Sequence, residues 1–317
     1  MTSIDTIAAD YRAITEACGV FDRSERGKLA LTGADAAAFL QGQVSNDVEA
    51  LAPGTGCYAA FLTPKGKMLG DVRILRTDAE LLLDTERSTL QALFNMIRRF
   101  SVGYQLELHK QTLERGMLSL LGPESAALAG AGALGSNEHA HGVFEVPGAG
   151  RTARVIRTDV GVDLLCDAAD TDALRGALED AGAVVVSETA AECLRVERGR
   201  PRYGVDLDDT VIPQEAGLNE RAVSFTKGCY VGQETVARLY YRGKPNRQLR
   251  GLRLSGLVEV GEELEFEGRA VGRVASVAQS PRFGPIALAL VRREAPPGVT
   301  VSIGDALTAE VTELPFR

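Results

Sequence analysis

Cys229 stands in the run Lys227-Gly228-Cys229-Tyr230-Val231-Gly232-Gln233-Glu234. A cation two residues away and open backbone amides favour the thiolate, the nucleophilic and metal-binding form of cysteine. Gly228 and Gly232 allow tight turns around the sulfur. Gln233 is placed to fix the loop. Glu234 either orients a ligand or sits in the first turn of a following helix, where an acid is favoured. Directly afterwards, Thr235 to Val258 holds no acid but six bases: Arg238, Arg242, Lys244, Arg247, Arg250 and Arg253. Such a window suits carboxylates, phosphates or an RNA segment. Just upstream, Glu197 lies in Val196-Glu197-Arg198-Gly199-Arg200-Pro201.

The chain as a whole is ordinary in balance. Its 317 residues suggest about two domains at roughly 150 residues each. Lys and Arg number 35 against 43 Asp and Glu, a net charge of −8, which argues against a generally basic nucleic-acid binder. Only six of the bases are lysines: Lys28, Lys65, Lys67, Lys110, Lys227 and Lys244. No apolar run reaches the ~20 residues of a membrane span, and the N-terminal stretch lacks a signal-peptide pattern. A cytoplasmic protein without membrane contact is expected. The five cysteines form no CxxC pair, so free thiols are expected rather than a disulfide scaffold. His139 and His141 form an HxH pair with no further ligands nearby, and no metal site is assigned. Gly130-Ala131-Gly132-Ala133-Leu134-Gly135 matches GxGxxG but follows a helix instead of a strand, and reads as a linker.

The elements that must position these residues follow from periodicity. Helices are predicted at 4–17, with Ile4, Ile7, Tyr11 and Ile14 on one face, and at 34–43, 88–100, 171–180 and 188–198. Strands are predicted at 28–32, 57–63, 69–76, 80–84, 117–121, 151–157, 162–166 and 184–186. Pro64-Lys65-Gly66-Lys67 makes a hairpin tip between two of them. After about residue 245 the texture becomes six short strands split by Gly and Pro, a small β-barrel or sandwich. The expected class is α+β: a body over 1–245 made of two intertwined lobes, about 1–110 and 111–245, then a barrel over 246–317.

The run Lys227 to Glu234 resembles the signature of the YgfZ-type folate-binding proteins, whose mitochondrial counterparts act in iron–sulfur cluster assembly. Gly33-Ala34-Asp35 with Gln41 to Val48, the tip Lys65-Gly66-Lys67-Met68, the segment around Glu197, and Tyr241-Arg242-Gly243 resemble further motifs of that family. The wider group is that of the glycine-cleavage T-protein, or aminomethyltransferase. The resemblance implies a three-domain aminomethyltransferase-like fold with a central folate channel and tetrahydrofolate, or a one-carbon derivative, as cofactor. The implied partners are iron–sulfur assembly factors or client proteins, with RNA contact through 238–253 and a link to tRNA modification. Cys229 is then the working thiol at the cavity mouth, with Lys227 favouring its thiolate and Gln233 fixing its loop. Glu197 pairs with the pterin, and the arginines of 238–250, among them Arg238 and Arg247, meet the glutamyl tail. Asn46, Asp47, Lys67, Gly228, Tyr230, Gly232 and Glu234 complete the binding set. The alternative is a folate-dependent aminomethyltransferase or other one-carbon transferase, with Asp84 or Asp47 as its base.

Overall fold

The computed structural model describes the backbone of residues 4–317 and side chains from Ile7 onward, so Ile4's expected buried position lies outside the described side chains. Helix Ile4–Glu16 buries Tyr11 and Ile14, as its periodicity requires. The strand Gly19–Asp22 follows. It inserts between Val184–Val185, parallel, and Arg115–Leu121, antiparallel. Gly161–Asp167, Arg151–Arg157 and His141–Val146 complete this six-stranded sheet. Residues 19–22 therefore pair with strands from far along the chain, in a sheet otherwise drawn from residues 115–185.

The other sheet has five strands in the order Thr55–Leu62, Met68–Arg76, Leu81–Thr85, Gly27–Thr32 and Glu107–Lys110. Successive side chains on a strand point to opposite faces, and Thr55–Leu62 uses both. Ala59 and Phe61 join a core with Phe39, Leu40, Leu93 and Ile97 of helices Ala36–Gln43 and Leu90–Phe100. Ala60 and Leu62 join a different core with Met68, Leu207, Val211, Ala222 and Tyr230. The segment carrying Cys229 is thus packed, together with its sequence neighbours Ala222, Val223 and Val236, onto the strands Thr55–Leu62 and Met68–Arg76.

The C-terminal strands close into a barrel in the order Arg247–Leu254, Gly284–Arg292, Arg269–Ser280, Glu263–Phe266, Thr300–Ile303 and Leu307–Thr312. The last strand pairs back onto the first, which removes exposed edges. The barrel is not an appendage. Leu249, Ile286, Leu288 and Phe316 share a core with Tyr11, Ile14, Leu194 and Val196. No described helix is long and apolar enough to cross a membrane.

Candidate functional site: a two-part cavity and an anchored thiol loop

Between the two sheets lies a cavity of about 230 Å³. Its walls carry Arg26, Tyr58, Asp71, Arg73, Asp84, Glu86, His139, Asp163, Arg202 and Arg221. The strand Met68–Arg76 accounts for much of this. Asp71 and Arg73 are two apart, so they share one face, and Arg73 sits opposite Asp84 in the register of the sheet. Arg73 bridges Asp84 at 2.7 Å and Asp163 at 2.5 Å, joining one sheet to the other. Arg26 holds Asp84 at 2.6 Å and Glu86 at 2.5 Å. Buried charges persist only when paired in this way.

Asp71 differs from its neighbours. It accepts a hydrogen bond from Tyr58 Oη at 2.6 Å and makes no ion pair among the described residues. Burial raises its pKa to about 6, against the lowering pull of Tyr58 and Arg26. Asp84 behaves oppositely: despite burial, Arg26 and Arg73 hold it below the ordinary carboxylate range. A carboxylate locked between two guanidinium groups is a poor proton acceptor, so Asp84 does not suit the base role expected of it. Asp47 is not in the wall; it accepts from the Gln41 amide at 3.0 Å and from Ala50 N–H at 3.2 Å.

His139 and His141 are both buried. Burial first, and then Arg73 for His139 and Arg154 for His141, pulls each pKa down to about 4. An unfolded histidine takes up its proton near 6.5, so the unfolded chain binds more protons as pH falls from about 6.5 to about 4. Their contribution to stability is therefore full above 6.5 and is lost across that window. Asp71 works the other way. Its folded pKa of about 6 exceeds the ordinary carboxyl value of 3.8, so its contribution is present below 3.8 and lost as pH rises through 6. The double variant His139→Gln, His141→Gln should flatten the decline in urea midpoint between pH 7 and 4.5; an unchanged slope would contradict the assignment.

A second compartment of about 700 Å³ adjoins the first, with Thr158, Asp159, Val160, Leu194 and Arg198 lining both. Glu197, expected to grip the pterin, lines this second space and not the first. Its carboxylate is already held from within: Tyr11 Oη donates to Oε2 at 2.8 Å, while Ser280 Oγ and Cys193 Sγ donate to Oε1.

The Cys229 loop forms the other part of the site. Cys229 is exposed and makes no hydrogen bond among the described residues. Lys227, by contrast, is buried, and its Nζ donates to the carbonyls of Gln41 at 2.6 Å, Val44 at 2.8 Å and Asn46 at 2.7 Å. An ammonium has three protons to give, and all three are engaged. The expectation that Lys227 serves the Cys229 thiolate is corrected: its ammonium fastens the loop to the first lobe. Burial brings its pKa down to about 8. Gly228 is exposed beside the thiol, and Tyr230 is buried in the core beneath it. Gly232 has φ +86°, and a Cβ there would meet Thr63 O at 2.5 Å and the backbone of Gly66 at 3.2 Å. The hairpin tip and the thiol loop therefore touch backbone to backbone.

Other expected residues fall into place around this anchor. Asn46 Nδ2 donates to Tyr58 O at 2.9 Å and Arg221 O at 3.2 Å. It thus ties the thiol-loop anchor to two residues of the cavity wall. Gln233 and Glu234 open helix Gln233–Arg242, which confirms the first-turn position for Glu234; Gln233 N–H donates to Tyr230 O at 3.2 Å. Lys67 Nζ donates to Thr210 O at 2.5 Å, as does Arg247 Nη2 at 2.8 Å; Arg247 also pairs with Glu215 at 3.1 Å. Arg250 pairs with Glu313, and Arg253 donates to Arg317 O at 2.7 Å. The basic window is therefore divided. Arg247 ties the barrel to Thr210 and Glu215, Arg250 and Arg253 bond to the C-terminal residues Glu313 and Arg317, while Arg238, Arg242 and Lys244 are exposed and form no ion pair among the described residues. None of residues 227–253 lines the main cavity.

Sequence reasoning missed the wall itself: Arg26, Tyr58, Asp71, Arg73, His139, Arg202 and Arg221. A signal existed, since Asp71 and Arg73 interrupt the apolar strand Met68–Arg76 on a single face. Four of the wall residues also carry buried polar atoms with no partner among the described residues: Nε of Arg73, Arg202 and Arg221, and Nδ1 of His139. Native interiors rarely leave such groups unpaired. Their clustering marks a space shaped for a polar guest. A reduced pterin offers acceptors for these arginine N–H groups and donors for Asp71, so the residues fit the cofactor that the sequence implies.

Among known proteins, the family model described as GCVT N-terminal domain matches residues 2–227, and that described as Glycine cleavage T-protein C-terminal barrel domain matches residues 247–317. The Arabidopsis thaliana protein named "Putative transferase At1g60990, chloroplastic" is 29% identical over 308 residues, 94% of this chain and 71% of its own length. The glycine cleavage system aminomethyltransferase T from Bartonella henselae superposes with a TM-score of 0.87 at 24% identity, covering 100% of this chain and 91% of that one. That likeness shows the fold: mixed α/β domains and a closed six-stranded C-terminal barrel.

Proposed function

The chain belongs to the glycine cleavage T-protein family, and from that premise we propose that it binds tetrahydrofolate, or a one-carbon derivative, as an accessory protein for iron–sulfur cluster assembly or repair in the cytoplasm. The observation that carries the folate part is the cluster of unpartnered arginine and histidine nitrogens around Asp71. Asp71, Tyr58, Arg221 and Arg202 hold the pterin. A reduced folate, when bound, supplies a carrier for a one-carbon unit. Cys229 acts outside, on an assembly factor or client, from a loop whose anchor also positions the cavity wall through Asn46. Arg238, Arg242 and Lys244, beside the exposed Tyr240 and Tyr241, are the part of the basic window open to an RNA, whose binding would weaken steeply with salt.

A second reading, a one-carbon transferase, now rests on Asp71 as base, because its raised pKa and place in the wall suit proton transfer near neutrality. Turnover of tetrahydrofolate with an aminomethyl donor, lost in Asp71→Asn, would establish it.

Calorimetric titration with tetrahydrofolate and its 5-formyl form tests the shared assumption. Binding is expected, weakened about 10- to 100-fold in Asp71→Asn, the range for losing a hydrogen bond to a charged group. Heats indistinguishable from dilution for both ligands would remove the folate reading.

A further inference from the structure

One charge of the main cavity has no task in the pterin site proposed above. Arg23 lies one residue past the strand Gly19–Asp22, and its N–H donates to Met117 O at 2.8 Å, which carries the pairing one step further. Residues two apart on a strand share a face, so Arg23 follows Phe21, and both line the cavity. Its guanidinium carbon stands 5.0 Å from the centroid of the Phe21 ring. The side chain is only partly exposed and makes no hydrogen bond or ion pair among the described residues. The wall's other enclosed guanidinium groups are different. Arg26, Arg73, Arg195, Arg200, Arg202 and Arg221 each have a carboxylate partner, and Arg198 is exposed.

The acids of the wall do not supply the missing partner. Asp71 is bonded to Tyr58 and forms no ion pair with Arg23. Asp163 and Glu86 attract Arg23 from a distance, but Asp163 is bonded to Arg73 and Ser119, and Glu86 to Arg26 and Arg202. Burial draws the Arg23 pKa below its ordinary value, and Arg26 and Arg202 act in the same direction. An enclosed charge without a partner works against folding, and proteins retain such groups where function needs them. One unpaired cation calls for one negative charge. The nearby Asp163 and Glu86 disfavour a dianion such as phosphate, and the planar guanidinium fork matches a carboxylate. Phe21, Leu121, Ala191 and Leu194 bring apolar surface to the same cavity.

We propose that Arg23 is a carboxylate-binding residue, and that the main cavity takes, in addition to the pterin, a second guest: a small carboxylic or amino acid with an apolar body. Arg23 grips the carboxylate, and the Phe21 side of the wall meets the rest. This position is separate from the residues assigned to the pterin, so it stands or falls on its own.

Propionate and alanine are the probes: the first offers only a carboxylate on a small apolar body, and the second adds an ammonium. Each is titrated calorimetrically into the full chain, with and without saturating tetrahydrofolate, and into Arg23→Met and Arg23→Lys. Propionate should bind the wild type saturably and equally well in both states. Arg23→Met should weaken it about 10- to 100-fold, the range for losing a hydrogen bond to a charged group. Arg23→Lys should weaken it about tenfold, since lysine keeps the charge and lacks the fork. Tighter binding of alanine than of propionate supports an amino acid as the guest, and the reverse supports a simple acid. The urea midpoint of Arg23→Met should equal or exceed that of the wild type, because no partner loses a bond; a lowered midpoint would make Arg23 part of the frame and overturn the proposal. No saturable binding of either probe by the wild type, or unchanged binding in Arg23→Met, overturns it as well. So does displacement of propionate by tetrahydrofolate, which would assign Arg23 to the folate, or tighter binding of inorganic phosphate than of both probes. Failure of tetrahydrofolate itself to bind removes the folate reading and leaves the propionate result standing.

Discussion

Arg73→Met should destabilise the chain by about 3–5 kcal/mol, the typical cost of removing one partner from a buried ion pair. Arg73 is 8% exposed and lies between Asp84 of one sheet and Asp163 of the other. Without its guanidinium, Asp163 keeps only the Ser119 hydroxyl at 2.6 Å, and Asp84 keeps Arg26. The deficit is thus concentrated on Asp163, whose charge is left facing an emptied wall. Methionine preserves most of the aliphatic stem, so the loss reports charge more than packing. Urea denaturation followed by circular dichroism measures it. The double variant Arg73→Met, Asp163→Asn should recover at least half of the loss, because it no longer buries an unpaired charge. A loss under ~1 kcal/mol for Arg73→Met would mean that water reaches Asp163, and that the two sheets are not joined through this residue.

The same residue shows what could and could not be read in advance. Elements bounded by strong local punctuation were legible. Thr171–Asp180 is closed by Gly182 at φ +108°, and the barrel strands Glu263–Phe266 and Leu307–Thr312 sit between glycines and turns. Gly19–Asp22 was not legible. Four residues have too little periodicity, and this strand exists because Val184–Val185 and Arg115–Leu121 flank it from far along the chain. Helix Gln233–Arg242 was signalled only by its first turn, since Val236 is its single buried residue.

The candidate site divides along the same line. The motif segments 41–48, 65–68 and 227–234 were recognised, and the fold does bring them together, through Lys227 Nζ and the contact of Gly66 with Gly232. What they build is an anchor, a property no spacing rule conveys. The cavity wall is drawn from strands whose register decides which charges meet, as with Arg73 and Asp84. Register depends on long-range pairing, so the wall became visible only in three dimensions. Glu197 shows a further side of this: a conspicuous acid in a conspicuous segment, whose bonds to Tyr11, Ser280 and Cys193 come from residues far apart in the chain or on its own helix.

Cys229→Ser should abolish the chain's cellular function while leaving stability and folate affinity unchanged. The four other cysteines are partly or fully buried, and burial pushes the thiols of Cys18, Cys57 and Cys193 up to about 12. Those groups stay protonated and inert near neutrality. Cys229 alone among the five is exposed, and it contributes no hydrogen bond to the fold. The loop beneath it is nevertheless held by three Lys227 hydrogen bonds, a buried Tyr230 and a left-handed Gly232. Fixing a loop costs roughly 1–2 kcal/mol of backbone entropy per residue, and a loop with no task for its exposed side chain would not need that rigidity. Serine keeps the size and removes the nucleophile, so a loss of function separates chemistry from structure. The measurement is the activity of iron–sulfur enzymes in cells whose own copy is deleted and replaced by the variant, alongside a urea midpoint and a folate titration of the purified protein. Lys227→Met should lose function with an accompanying fall in stability, because three carbonyls lose their donor. Full restoration of iron–sulfur enzyme activity by Cys229→Ser would sink the thiol role, and the Lys227 phenotype would then reflect only the anchor's support of the cavity wall.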